Sequence, residues 1–202
     1  IAGFIRQDAK TLMRWAAGIV GKAGKKITQR DMELLLTKTG TDMGNLRMEM
    51  EKLISYTEGR DVVTAEDIEE ICTTQTTNRI FDMVRAVTEK NQKRALELYY
   101  DLLTLKEPPM RILFLLAKQY RQLLLAKQFA AAGLAQTEIA SKLGVPGFVV
   151  RNITTCARAY TISELEQAVK DFVDAEESVK TGRLEDKLSV ELLIIKYSSK
   201  VK

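Results

Sequence analysis

Histidine is absent from all 202 residues, and cysteine is nearly so, with Cys72 and Cys156 alone. Without an imidazole there is no Ser–His or Cys–His nucleophile and no histidine-containing metal site. Two cysteines far apart in sequence read as reduced thiols of a cytosolic protein, and two thiols cannot hold zinc without other ligands. Long apolar runs are also missing. The longest unbroken one, Ile112 to Ala117, is too short to cross a bilayer, and no secretory signal is present. No G-x-x-x-x-G-K-[ST] phosphate loop occurs. The Gly/Lys-rich segment Gly21–Lys26 lacks its spacing and its hydroxyl and reads as a solvated turn. No strand-like alternation stands out. Nothing in the residues implies catalysis, a cofactor or a metal.

What is present is helical and soluble in character. Hydrophobic residues make up 46% and charged residues 29%, with 3 prolines. Leu, Ala, Lys, Glu and Met, all good helix formers, are common. The length allows a real core in one or two domains. The start at Ile-Ala-Gly, without Met, suggests a piece of a longer protein. Charge is uneven. Residues 1–75 carry 11 Lys+Arg against 12 Asp+Glu, whereas residues 76–202 carry 20 against 15. Within 106–160, Lys106, Arg111, Lys118, Arg121, Lys127, Lys142, Arg151 and Arg158 face only Glu107 and Glu138. A basic middle third fits an acidic partner, nucleic acid or protein, or a generic soluble surface.

Helix signals run through the chain. Leu12, Trp15, Ala16 and Ile19 share one face of a first helix. Thr28 caps the next, with Asp31 three residues on and Ile27 and Met32 as a staple. Gly40 stops it, and Asp42 caps a third helix whose inner face is Leu46, Met50, Leu53 and Ile54 and whose wet face is Arg47, Glu49, Glu51 and Lys52. Thr64, Asp67, Val63 and Ile68 repeat the cap and staple. The threonine-rich Thr73–Asn78 marks a domain boundary, with Asn78 as a cap. Asn91 opens a helix carrying Ala95, Leu98, Tyr99 and Leu102. Pro108-Pro109 opens the most apolar helix, which Gly133 ends. In that helix Arg121 calls for a carboxylate partner, with Asp174 and Glu177 as candidates. Ser163 caps a long helix ending at Gly182. The last helix points Leu188, Leu192 and Ile195 inward and leaves Leu193 and Tyr197 for another surface.

Gln136–Thr155 has helix-turn-helix spacing, with Thr137 as cap, Gly144 at the turn and a second helix near Pro146. A DNA reader would present Gly147, Phe148, Arg151 and Asn152 to the major groove. Phe148, Val149 and Val150 suit packing better than base contacts, so a structural corner is the competing reading.

The corner Gly40-Thr41-Asp42-Met43 followed by Leu46-x-x-Glu49-x-Glu51-Lys52-Leu53 resembles the lid of the delta subunit of bacterial DNA polymerase III. The resemblance continues in order through Ile80-Phe81-Asp82, Lys93-Arg94-Ala95-Leu96, Lys118-Gln119-Tyr120-Arg121-Gln122-Leu123-Leu124, Ala140-x-x-Leu143-Gly144-Val145-Pro146, and Asp174 with Val179-Lys180-Thr181-Gly182. It covers roughly 15–200. It implies an all-α chain, with a three-helix AAA+ type lid over 1–75 and a helical clamp-loader collar over 76–202. The family's N-terminal nucleotide-fold domain, which touches the sliding clamp, has no counterpart here. Active relatives place an ATP-touching arginine where this chain has Gly44, which fits a non-ATPase subunit of a complex that is itself a DNA-directed DNA polymerase. The implied partners are other clamp-loader subunits through the collar, with Arg121, Leu193 and Tyr197 as collar residues, and DNA at most weakly. The implied location is cytoplasmic, with no membrane. The alternative is a helix-turn-helix regulator reading DNA through Arg151 and Asn152.

The chain alone is expected to show no ATP turnover, and Gly44→Arg should not create any, because no phosphate loop exists. Phosphate release by a clean preparation overturns this expectation.

Overall fold

Helix boundaries follow the side chains able to close the free amides of a first turn. In the computed structural model, which describes residues 9–72 and 76–199, these signals delimit eleven helices. The chain divides into two compact units, Ile1–Asn78 and Arg79–Lys202. Residues 73–75 of the expected threonine-rich boundary lie outside the described residues. The remainder, Thr76–Asn78, is already helical. Asn78 is therefore not a cap, and its amide instead donates to the Lys38 carbonyl at 2.7 Å.

The first unit contains α1 (Ala9–Lys22), α2 (Gln29–Thr39), α3 (Met43–Tyr56) and α4 (Ala65–Ile71). Thr28 Oγ1 accepts from the Asp31 amide and Asp42 accepts from the Asn45 amide, so both expected caps form. Gly40 ends α2 at φ 78°, ψ −169°, a conformation open in practice only to glycine. Thr64 and Asp67 close a reciprocal capping box, flanked by fully buried Val63 and Ile68 as the staple. Leu12, Ala16, Leu35, Leu46, Met50 and Leu53 are buried on the inner faces of α1, α2 and α3.

The unit is helical as expected, with one unforeseen feature and one misplaced residue. A two-residue parallel ladder is present, β1 (Lys26–Ile27) against β2 (Val62–Val63), in register Lys26 with Val62 and Ile27 with Val63. Two residues are too few to show alternation. Glu49 also lies on the buried side of α3, where its carboxylate pairs with Lys52 at 2.6 Å. A buried carboxylate held by a cation one turn away is tolerated where an unpaired one would not be.

The second unit contains α5 (Thr76–Thr88) from Arg79 onward, α6 (Gln92–Thr104), α7 (Pro109–Ala131), α8 (Gln136–Leu143), α9 (Gly147–Ala157), α10 (Ile162–Lys180) and α11 (Asp186–Ser198). α7 is its axis, packing against α8, α9, α10 and α11. Ile112, Leu113, Leu116, Tyr120, Leu123 and Ala126 are buried along it. Two caps are displaced from expectation. α10 is capped by Thr161, not Ser163, with the Glu164 carboxylate accepting from the Thr161 amide at 2.6 Å. Both Thr161 and Ser163 have glutamate three residues on. Only the earlier start puts two buried residues, Tyr160 and Leu165, at the staple positions. α8 starts after Ala135, whose amide donates to Glu138 at 2.8 Å, so Thr137 lies inside the helix.

The Asp67 capping box should govern the acid stability of the first unit. Burial raises the Asp67 pKa, but the Thr64 amide, the Arg60 guanidinium at 2.8 Å and the Thr64 hydroxyl more than offset it, and the net shift is downward. A depressed carboxylate contributes stability above its unfolded value and loses it as pH falls through its folded value. Asp67→Ala should therefore cost about 1–3 kcal/mol at neutral pH. The gap to the unsubstituted chain should begin to narrow near the unfolded value of about pH 4 and close only below the lower folded value. Urea titrations across pH check this, and a gap that persists in acid defeats it.

Candidate assembly surface

The surface of interest is built on α11, which is apolar on two sides. Leu188, Leu192 and Ile195 fall at i, i+4 and i+7 on one arc, and Val190, Leu193, Ile194 and Tyr197 fall on another. Sequence alone cannot say which arc meets the core. The structure chooses the second. Val190, Leu193 and Ile194 are buried, Leu193 at 7% exposure, and Tyr197 is half-buried. Leu188, Leu192 and Ile195 are instead 42%, 48% and 38% exposed. The expected orientation of this helix is thus reversed, and Leu193 is a core residue of its own chain.

Tyr197 explains the choice. Its ring lies 5.5 Å from Tyr120 and 6.3 Å from Phe172, in a cluster that Tyr160 completes at 5.9 Å from Tyr120. Its hydroxyl donates to Asp171 on α10, which also receives Lys196. Burial raises the Asp171 pKa, but the bonds from Lys196, Tyr197 and Gln167 outweigh it and hold the carboxyl below its usual range. Burial, reinforced by Asp171, pushes the Tyr197 phenol strongly up. Both groups therefore keep the donor–acceptor pair intact around neutral pH.

On the opposite flank, Tyr100 Oη on α6 donates to Glu191 Oε1 at 3.0 Å. The exposed stripe of α11 thus runs between two polar ties, Tyr100–Glu191 toward α6 and Lys196–Asp171 toward α10. An apolar centre with a polar rim is the pattern of a protein-binding face. Half-exposed Tyr100 adds a rigid aromatic at its edge. Tyr100 and the Leu188–Leu192–Ile195 arc are the residues that sequence reasoning missed as a surface. The signal available was the doubled apolar arc, which a single-faced helix would not need.

The remaining sequence-derived residues are separate from this stripe. Arg121 is exposed and makes no ion pair among the described residues. Its expected partner Glu177 is engaged by Arg183 at 2.9 Å. The misreading came from placing Arg121 on the apolar part of α7, when Arg111, Phe114, Lys118 and Arg121 form an exposed stripe along it. α8 and α9 do form a helical corner, with Gly144 left-handed at φ 64°. Arg151 and Asn152 are exposed on α9, Phe148 and Val149 are half-buried, and Val150 is in the core. Gly44 stands in the first turn of α3, where an added Cβ would meet the Asp42 carboxylate at 3.3 Å. Cys72 and Cys156 are free and buried, and burial pushes the Cys72 thiol up to about 12.

Comparison with known proteins adds an independent line. Residues 77–197 match the family described as DNA polymerase III delta subunit, C-terminal domain. The chain is 26% identical over 188 residues to the DNA polymerase III subunit delta of Bacillus subtilis (strain 168), covering 93% of this chain and 54% of that protein. It is 23% identical over 123 residues to a probable DNA polymerase III subunit delta of Aquifex aeolicus (strain VF5), covering 60% and 35%. The solved structure of a Bacillus subtilis DNA clamp loader delta protein superposes with a TM-score of 0.82 at 25% identity, over 96% of this chain and 57% of that one. The chain thus spans about half the length of the Bacillus protein.

The two arcs of α11 predict opposite responses to truncation. Leu193→Ala should cost about 2–4 kcal/mol in urea denaturation. Leu192→Ala should stay within about 0.5 kcal/mol. Equal losses would show that both arcs are buried in the isolated chain.

Proposed function

The chain belongs to the DNA polymerase III delta subunit family through its C-terminal domain, and from that premise we propose that it is a non-catalytic, cytoplasmic clamp-loader subunit that joins the loader ring through its second unit. In this reading residues 1–75 are the lid and residues 76–202 the collar. The sliding clamp is met by a preceding domain, and DNA is at most weakly bound. The observation that carries the reading is the exposed apolar arc of α11 between its two polar ties, in a chain whose relatives are clamp-loader subunits. Such an arc is stable in water only as a modest patch, and its burial against a neighbouring subunit's helices would contribute favourably to assembly.

The corner of α8 and α9 fits this reading as packing. It presents half-buried apolar residues where a groove-reading helix would place polar ones. Arg151 and Asn152 then lie on a solvated face.

Reconstitution with the loader subunits of the same organism tests the proposal. Leu188→Glu with Leu192→Glu should abolish co-elution while leaving the melting curve unchanged, and Arg151→Ala with Asn152→Ala should assemble normally. Undiminished assembly by the first variant would remove α11 from the interface. Sequence-selective duplex binding lost in the second variant would promote a DNA regulator instead.

A further inference from the structure

Elsewhere among the described helices, exposed large hydrophobic side chains stand singly or out of phase, as Met43, Met48 and Tyr56 do on α3. α11 is different. Leu188, Leu192 and Ile195 repeat at the four-then-three spacing of a heptad stripe, with Leu192 at an a position and Leu188 and Ile195 at d. In the same register Glu191 takes the g position and Lys196 the e position, one on each flank of the stripe. Val190, Leu193 and Ile194, on the far side of the helix, are already buried in the core. The stripe is thus the side of α11 that its own chain leaves uncovered.

The two flanks differ in charge, and this decides what can cover the stripe. On the α6 side Glu191 accepts from a neutral phenol, Tyr100, which leaves its negative charge in place. On the α10 side Lys196 is tied to Asp171, but its side chain stays 56% exposed and its ammonium has further donors. A second copy of α11 laid parallel to the first sets its Lys196 against Glu191 and its Glu191 against Lys196, because g of one helix meets e of the other. Laid antiparallel, glutamate would meet glutamate and lysine would meet lysine, which is unfavourable. A single two-fold axis along the helices therefore satisfies both flanks, with the same patch serving both partners.

We propose that the free chain pairs with a second copy of itself through α11, parallel and in register. Leu188, Leu192 and Ile195 of each copy form the apolar contact, and Glu191 and Lys196 cross it twice. The inference rests on reading this arc as the assembly face: the second copy covers it until a loader subunit takes its place. Three apolar side chains a copy, edged by Tyr100, are far fewer than the roughly 20–30 residues a side of a durable interface. The pair should accordingly be weak and reversible, as exchange requires. Another apolar helix could cover the stripe, but only a parallel copy matches both flanks by construction.

Sedimentation velocity of the whole chain alone, from micromolar to submillimolar concentration, tests the pairing. A monomer–dimer equilibrium is expected. Leu192→Glu should weaken it at least about tenfold at unchanged melting temperature. Glu191→Lys alone and Lys196→Glu alone should each weaken it about threefold or more, and an equimolar mixture of the two should pair like the original chain. Glu191→Gln and Lys196→Gln serve if a reversal lowers the melting temperature, and each should still weaken pairing. Adding the loader subunits of the same organism should dissolve the pair into the mixed complex. A chain that stays monomeric throughout overturns the proposal but leaves the assembly reading standing, since the loader subunits decide that reading. Dimers indifferent to Leu192→Glu or to the charge variants also overturn it, as do reversal variants that mixing does not rescue or a pair that persists within the mixed complex.

Discussion

The hydroxyl of Tyr120 sits where α7, the corner between α9 and α10, α10 itself and α11 converge. A buried phenol without a partner would cost about 1–3 kcal/mol. The Tyr160 hydroxyl at 3.2 Å removes that penalty. Phe172 and Tyr197 pack on the same ring at 5.0 and 5.5 Å. Tilted aromatic pairs of this kind add to plain area burial. Each of the surrounding helices therefore has its distance to α7 set by one ring. The orientation of α11 follows from it, since turning Leu188 and Leu192 inward would withdraw Tyr197 from both Tyr120 and Asp171. The exposed apolar arc is a consequence of the aromatic core, and so are the two polar ties beside it.

Lysine does the complementary work at helix ends. Lys25 donates to the Thr57 and Arg60 carbonyls, Lys38 to those of Ile68 and Glu69, Lys90 to that of Tyr197, and Lys127 to that of Ala157. Apart from Arg60, which lies in the loop after α3, the carbonyls these cations meet belong to the last turn or C-cap of a helix, at its negative dipole end. Lys90 shows what the arrangement demands. It sits at φ 56°, where glycine would be less strained, and its amine also lies 5.6 Å from the Tyr160 ring centre. In each unit these bonds link separate elements with little side-chain bulk. They also take part of the basic excess out of solution, so net charge overstates what the surface offers to an anion.

How much of this was legible in the sequence depends on how local the cause was. Thr28, Asp42, Thr64 and Asn91 were readable as caps because the acceptor and the amide it serves lie three residues apart. Thr161 was obscured by Ser163, an equally good local signal, and only the burial of Tyr160 with Leu165 separates them. The apolar axis α7 was legible, but its wet stripe was not, because the apolar excess hid the period. The face of α11 was illegible in principle: two arcs of equal hydrophobicity carry no local preference, and the choice is made by Tyr120, far away in the chain. Glu49 and Arg121 were misjudged for the same reason in opposite senses, one charge being buried with a neighbour and the other solvated alone.

The short ladder of Lys26–Ile27 with Val62–Val63 bears on the order of folding events. A parallel pair cannot close through a tight turn. Here the connecting segment, residues 28–61, is itself the hairpin of α2 and α3. Helical hairpins assemble from near neighbours on the microsecond scale, whereas pairing the ends of a long segment waits on loop closure. Folding the hairpin first shortens the effective loop and lowers that entropic barrier. Lys25, adjacent to β1, reaches the Thr57 and Arg60 carbonyls just before β2 and so fastens the same seam. In the first unit the seam is therefore the last part to form and the first to open. Loosening it accelerates unfolding while leaving the rate of hairpin formation nearly untouched.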